Sequence, residues 1–408
     1  MAFSVATLQS LNGFAKDTRA EKLEKLVPAD FHLINDIPFN KRKKLGRNYL
    51  QPVFLTYPHG VTFSVADVVP NLNAVVTAIT REASVTPYQI IARDRMSYDS
   101  ADRAASAEEA FENETTFLME ALRLSHTSKA EALMFYGGHA NGLGTVLSVT
   151  GNVVSVTVAE WAGGIWAGSE NMRLDVYNAG TYVKTVQIAS VDLDLKTLTV
   201  DNGTGIANGY ALFYEGAFGN TMYGIHQIIT NGSTLFGIDA SAYSLWKGVT
   251  QSGGGTTAAL LTYLQAGARA RIKGMRGKVK TYVSAFSFAD LVNQVEAAKH
   301  DSSGALKGSQ IERGADSMKI YSPNGNMEFQ VSDFVKYGLS FGCIQDGSWT
   351  RIGSSDITFR YPGTDKEEFF IHLQEAGGYE FRSWSNFSLF SSRPGANFVI
   401  NNLVNSAS

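Results

Sequence analysis

The sequence predicts an α+β chain of several parts, with a separate all-β module set into its middle. Three observations predict it. Apolar residues fall at helical spacing between residues 105 and 138, and again between 261 and 298. Between 139 and 214 that spacing gives way to short alternating strands, punctuated by Thr150-Gly151-Asn152, Asn178-Ala179-Gly180 and Asp201-Asn202-Gly203. From residue 318 onward the chain is strand-rich again. At 408 residues there is length for two or three domains with real cores.

Composition narrows the function classes. The chain carries 35 Lys+Arg against 38 Asp+Glu, too even a balance for a dedicated nucleic-acid binder, which is normally strongly basic. Only 18% of residues are charged, against about 25% in ordinary soluble domains, and a surface short of charge is often covered by other protein. The single cysteine, Cys343, excludes a disulfide framework and any zinc site of several thiolates. Its apolar setting, Leu339 to Ile344, reads as a buried inert thiol. The start lacks a basic region followed by an apolar run, and no stretch approaches the ~18 apolar residues that cross a bilayer, so a soluble protein of a reducing compartment is expected.

Residues 1–48 are weakly periodic, with an amphipathic piece at 18–26 and the basic run Lys41-Arg42-Lys43-Lys44; they read as an extended arm without a core. Two β-prone runs, 49–57 and 61–65, flank Pro58-His59-Gly60 and predict a hairpin, an element poorly stable alone. Residues 71–80 fit a short helix or strand, and 85–96 a strand. Ser106-Ala107-Glu108-Glu109 is a capping box opening a helix of about twenty residues, with Phe111, Leu118 and Leu122 on its inward stripe. A second box, Ser128-Lys129-Ala130-Glu131, predicts a restart that stops at Gly137-Gly138. The β-module at 139–214 reads as a small barrel or sandwich inserted into a host domain. Gly253-Gly254-Gly255-Thr256 opens a further helix, with Leu261, Leu264, Ala268 and Ile272 inward, Arg269, Arg271 and Lys273 on or near the other face, and Gly274 as its C-cap. A strand at 279–283 and a helix at 286–298 follow. The end reads as strands at 318–321, 327–331, 339–344, 357–361, 368–373, 379–390 and 398–403.

No catalytic constellation emerges. There is no phosphate-binding loop, no Gly-x-Ser-x-Gly elbow and no His-Glu-x-x-His, and the seven histidines are scattered singly. Asp192, Asp194 and Asp201 form the best calcium-like cluster, yet alternate residues beside a turn are usually a solvated edge. The run Lys41–Lys44 reads as a solvated loop, as a contact with an acidic face of a neighbouring copy, or as a nucleic-acid contact; no aromatics are interleaved for base stacking.

The order of parts (arm, hairpin, capped long helix, α/β middle, strand-rich end) resembles the major capsid proteins of tailed bacteriophages, with their Hong Kong 97-like fold. The middle carries the closest likeness: Gly209 to Gly216, Gly224 to Ile229, Thr234 to Ala240 and Tyr243-Ser-Leu-Trp-Lys-Gly248. The close, Ser392-Arg-Pro-Gly-Ala-Asn-Phe-Val-Ile400, also looks like the family's C-terminal strand. The resemblance implies an N-terminal arm at 1–40, an E-loop at 41–70, and a peripheral part at 71–138 with its spine helix at about 105–125. It implies an inserted β-domain at 139–214, an axial domain at 215–346, and return strands at 347–408. Lys41, Arg42, Lys43, Lys44, Tyr49, Phe54, Tyr57, His59 and Phe63 would then touch neighbouring subunits.

The implied function is a virion coat protein, not an enzyme and without cofactor or metal. It would self-assemble in the host cytoplasm into hexamers and pentamers of an icosahedral head around double-stranded DNA, without sequence-specific binding or a membrane. Some members cross-link an E-loop Lys to a neighbour's Asn; no motif singles out Lys41, Lys43 or Lys44 for this. A hairpin starting near residue 49 leaves no room for an N-terminal scaffolding segment, so a separate scaffolding protein is the implied partner, with a portal and a decoration protein. The rival readings are an encapsulin-like compartment shell and a β-rich carbohydrate-binding or hydrolysing protein; a cleft lined by Trp and paired carboxylates would favour the last.

Overall fold

The computed structural model describes residues 31–40, 48–98, 114–302, 317–320, 326–359, 371–372 and 377–406. The basic run Lys41–Lys44, the 106–109 capping box and Phe111 lie outside these residues.

Helix α1 (His32–Asp36) precedes strands β1 (Tyr49–Thr56), β2 (Ile79–Val85) and β3 (Tyr88–Ser97). β1 pairs antiparallel with β2, from Tyr49 opposite Val85 to Thr56 opposite Ile79. The expected partner, 61–65, is not a strand. Pro58-His59-Gly60 is not the turn of a tight hairpin, and the connection runs the whole way from Thr56 to Ile79.

Helix α2 (Glu114–Tyr136) is continuous through Ser128, where a restart was expected, because Glu131 turns its carboxylate outward onto α1 and makes no cap. It ends at Gly137 as the sequence predicts. A Cβ there would lie 2.2 Å from the Met222 carbonyl oxygen, so only glycine fits, and Gly138 takes a left-handed φ of +71°.

Next come β4 (Gly144–Thr150), β5 (Val153–Val156), β6 (Arg173–Asn178), β7 (Thr181–Asp192), β8 (Thr197–Val200) and β9 (Ala211–Tyr214). They close into a barrel in the order β4-β5-β8-β7-β6-β9. Alternation decides most of its inside: Val146, Val154, Val156, Leu174, Val176, Val186, Ile188, Leu198 and Leu212 are buried, although Asp175, Ala211 and Phe213 beside them are buried too. The β6–β7 turn uses positive φ at both Ala179 and Gly180, which matches the right-handed strand twist.

The chain continues through α3 (Ile225–Thr230), β10 (Thr234–Leu235), β11 (Ile238–Asp239), β12 (Val249–Thr256), α4 (Leu260–Ile272), β13 (Lys278–Val283), α5 (Ala285–Ser302), β14 (Ser317–Ile320), β15 (Asn326–Val331), β16 (Ser340–Ile344), β17 (Trp349–Thr358), β18 (Ile371–His372), β19 (Gly378–Ser391) and β20 (Phe398–Leu403). Gly253, Gly254 and Gly255 lie in β12 and do not open α4.

A six-stranded sheet runs β12-β20-β16-β13-β15-β14, and α4 and α5 pack on it. The C-terminal strand thus joins the sheet of the 215–346 segment rather than the return strands with which it was grouped. In a second sheet, β19 pairs β3 along one edge, and β17 and β18 along the other.

The inward face of α4 also differs from expectation. Tyr263, Ala266, Gly267 and Ala270 are buried, whereas Leu261 and Ile272 are exposed. Small residues face inward because the helix lies close on its sheet. Gly274, at φ +105°, caps it as expected, with the Met275 amide returning to Ala270 O. Cys343 is buried in β16.

Candidate assembly interface

The β1–β2 hairpin has an anchored base and an exposed end. Tyr49, Val53 and Leu55 turn one face of β1 towards the core, and Ala83 and Val85 bury the foot of β2. Tyr49 meets Phe390 edge-on at 6.0 Å, and the Ser84 amide donates to Phe236 O at 2.8 Å. Leu50 and Phe54, on the opposite face, are exposed.

Beyond Thr56 the chain touches chiefly itself. His59 N–H donates to Val76 O at 3.0 Å, and Asn73 holds Thr62 Oγ1 and Val61 O through its amide and side chain at 2.8 and 2.9 Å. These bonds shape the loop, but no other described residue covers its apolar side chains. Phe63 is 91% exposed and Val69 96%, with Tyr57, Val65, Leu72 and Val75 nearly as open. About half of the large apolar side chains exposed among the described residues fall between 50 and 79. Asp67 is the only charge between 57 and 80, so this surface is apolar and almost neutral. Exposed apolar surface on this scale is unusual for a monomer, which makes the loop the candidate interaction site.

Of the site residues named from sequence, Phe54, Tyr57, His59 and Phe63 lie on the open part of the hairpin, and Phe54 and Tyr57 touch edge-on at 5.8 Å. Tyr49 does not: it is half-buried at the base. Sequence reasoning missed Val65, Val68, Val69, Leu72, Val75 and Val76. The available signal was a valine-rich run broken by Asp67, Pro70, Asn71 and Asn73 that matches neither helical nor strand period.

A buried polar clamp fixes the arm beside this hairpin. Glu131 of α2 accepts the Leu33 and Ile34 amides at 2.7 and 2.9 Å, satisfying the open N-terminus of α1. Asp36 pairs with Lys280 and accepts the Tyr282 hydroxyl at 2.7 Å. Arg351, buried on β17, donates to Ile37 O at 2.8 Å, Ile34 O at 3.2 Å and Asp356 Oδ1. Burial pushes the Glu131 carboxyl up to about 7, against the pull of the two amides. An Arg351→Ala variant leaves two buried carbonyls unmatched, and is expected to lose about 2–4 kcal/mol in urea unfolding. An unchanged midpoint would mean the clamp is dispensable.

The long helix lies under the second sheet. Leu122, with Leu118 beside it, packs on Met96 and Phe381. His126 is wedged between Ser383 Oγ and Ser385 Oγ, each 2.9 Å away. Of the calcium-like cluster, two side chains shape the local backbone: Asp192 Oδ1 accepts the Asp194 and Leu195 amides, and Asp201 Oδ1 those of Gln187 and Asn202. No metal-binding group of three or more such side chains occurs among the described residues. No helix among them is long and apolar enough to cross a membrane.

Solved structures share this architecture over essentially the full chain. A chain of the cyanophage A-1(L) capsid asymmetric unit aligns with a TM-score of 0.59 at 11% identity, covering 98% of this chain and 99% of that one. A chain of the native GTA particle capsid aligns at 0.52 and 8% identity, covering 99% and 100%. A chain of the empty GTA particle capsid aligns at 0.51 and 7% identity, covering 98% and 100%. No family model and no curated protein matches the sequence. The chain shares the fold of these capsid chains.

Proposed function

We propose that the chain is the major capsid protein of a tailed bacteriophage, a structural rather than enzymatic subunit that closes into hexamers and pentamers of an icosahedral shell around double-stranded DNA. The observation that carries this reading is the hairpin end: a long, nearly uncharged apolar surface that no other described residue covers. Symmetric copies supply that cover, and several modest contacts per subunit suffice to hold a closed shell.

In this reading β1–β2 and its loop are the E-loop, and Phe54, Tyr57, His59 and Phe63 lie on a neighbour together with the valines beyond them. The arm and Lys41, Arg42, Lys43 and Lys44 continue the contact. Helix α2 is the spine and the β3–β19 sheet the peripheral domain. The six-stranded sheet with α4 and α5 is the axial domain, and the barrel at 144–214 is an inserted module. A scaffolding protein, a portal and a decoration protein are the further partners. A Trp-lined cleft would have favoured the carbohydrate reading, but Trp161, Trp166, Trp246 and Trp349 are buried and Trp384 is partly buried.

Negative-stain microscopy of the purified protein at rising concentration is expected to show rings and closed particles. A monomer at every concentration would overturn the proposal.

A further inference from the structure

The loop leading into the barrel meets the body loop 332–339 over a buried polar cluster. Lys336 is fully buried; its Nζ donates to Gly142 O at 2.9 Å and sits 4.5 Å from the centre of the Tyr136 ring. Glu160 Oε2 lies 3.6 Å from that amine, and Glu160 Oε1 accepts from Asn141 Nδ2. One carboxylate therefore bridges the amine of Lys336 and the carboxamide of Asn141.

Backbone contacts hold both sides in place. The Tyr337 and Gly338 amides donate to Trp161 O and Ala159 O at 3.0 and 2.7 Å, and the Tyr136 hydroxyl accepts the Lys336 amide while donating to Phe334 O. A Cβ on Gly338 would come within 2.8 Å of Ala159, so the two loops are in close contact.

We propose that Lys336 and Asn141 form a modification site, at which an isopeptide bond joins Lys336 Nζ to Asn141 Cγ with Glu160 moving the protons. The neutral amine attacks Cγ and the new C–N bond forms. Glu160 takes a proton from the attacking nitrogen and delivers it to Nδ2. The Cγ–Nδ2 bond then breaks and ammonia leaves. Atoms balance without oxidant or co-reactant.

Two features favour the step. Burial lowers the Lys336 pKa and so raises the fraction of free amine, although Glu160 opposes this. Both reacting groups neighbour one carboxylate within the same chain, Asn141 by a hydrogen bond and Lys336 by an ion pair, which makes the reaction unimolecular. Asn141 also lines a cavity of about 630 Å³, with Phe213 and Tyr214 among its walls, which gives the ammonia a way out. The product closes a covalent loop around the whole barrel, so its root and the body loop cannot separate. The inference is independent of the shell reading.

Asn141 has a competing reaction, since Gly142 follows it: attack by the Gly142 amide would give a succinimide, also with loss of ammonia. That amide is engaged, donating to His139 O at 3.0 Å. The test is the intact mass and peptide map of the denatured full-length protein. The proposal expects a mass about 17 Da below the sequence mass, and a base-stable branched peptide joining Asn141 to Lys336. The isosteric Glu160→Gln variant is expected at its full sequence mass with linear peptides. Wild-type protein at full mass overturns the proposal. So does a loss confined to a linear, base-labile Asn141 peptide, which is the succinimide. Because the wild-type map decides, misfolding of a variant does not cloud the result.

Discussion

Cutting out residues 57–78 and joining Thr56 to Ile79 through Asn-Gly is expected to leave a folded subunit that forms no closed particles. The join is geometrically sound, because Thr56 and Ile79 already face each other in the hairpin register and Asn-Gly suits a two-residue turn. The excised residues contribute nothing to any of the buried clusters, and the bonds of that loop are mostly internal. Folding stability should therefore move little, and closing a shorter loop costs slightly less entropy.

Assembly should suffer far more. Burying side chains such as Phe63, Val69, Leu72 and Val75 against a neighbour is worth roughly 1.5–3 kcal/mol each before the costs of association, so their loss removes several kcal/mol per contact. Size-exclusion chromatography and microscopy check both halves of the expectation. Normal particles from the shortened protein would take the hairpin out of the interface. A milder companion, Phe63→Asp with Val69→Asp, places charge in the same contact without changing chain length.

The legible parts of the fold were those set by local pattern. The barrel hairpins were readable because two-fold alternation and Gly-containing turns act over a few residues, and β20 because Phe398 to Leu403 is bounded by turn chemistry on one side. The Gly137-Gly138 stop of α2 was readable for the same reason. What failed depends on distant partners. Nothing near β1 announces that its partner begins at Ile79, since a Pro-Gly mark beside Val61 looks like a tight turn. The sheet membership of β20 is decided by β12 and β16, far away in sequence.

The inward face of α4 failed instructively. Larger aliphatics were assigned to the core, yet Ala266, Gly267 and Ala270 are what a helix lying close on a sheet requires, which leaves Leu261 and Ile272 outside. The same blindness hid most of the hairpin surface. Val65, Val69 and Val75 look like core residues in a string of letters, and only the fold shows them to be exposed.

Acid should unfold this protein steeply, and three histidines set the window. Burial, first of all, lowers His126 to about 4, His226 to about 3 and His139 to about 2. The last two meet edge-on at 4.2 Å, and both feel Lys336. In the unfolded chain each titrates near 6.5. A histidine depressed on folding gives stability that is complete above that value and is lost as pH falls towards the folded one.

Glu131 works in the opposite direction. Its folded pKa, about 7, lies above its unfolded value, so its contribution is complete at low pH and fades as pH rises to 7. Between roughly pH 6.5 and 4.5, three groups lose stability on acidification while one gains, leaving a net uptake of two protons on unfolding. Linkage converts this to a slope of about 2.7 kcal/mol per pH unit, enough to consume a typical folding free energy within a few units. Melting temperatures at pH 7.5, 6.0 and 5.0 check it. His126→Gln, which keeps a hydrogen-bonding amide between Ser383 and Ser385, should flatten the slope by about one proton's worth, near 1.4 kcal/mol per unit. A pH-independent melting temperature across that range would mean the three rings are already hydrated and protonated in the folded chain. Isopeptide formation at Lys336 would remove a nearby charge without exposing the rings, so the acid window persists with or without the bridge.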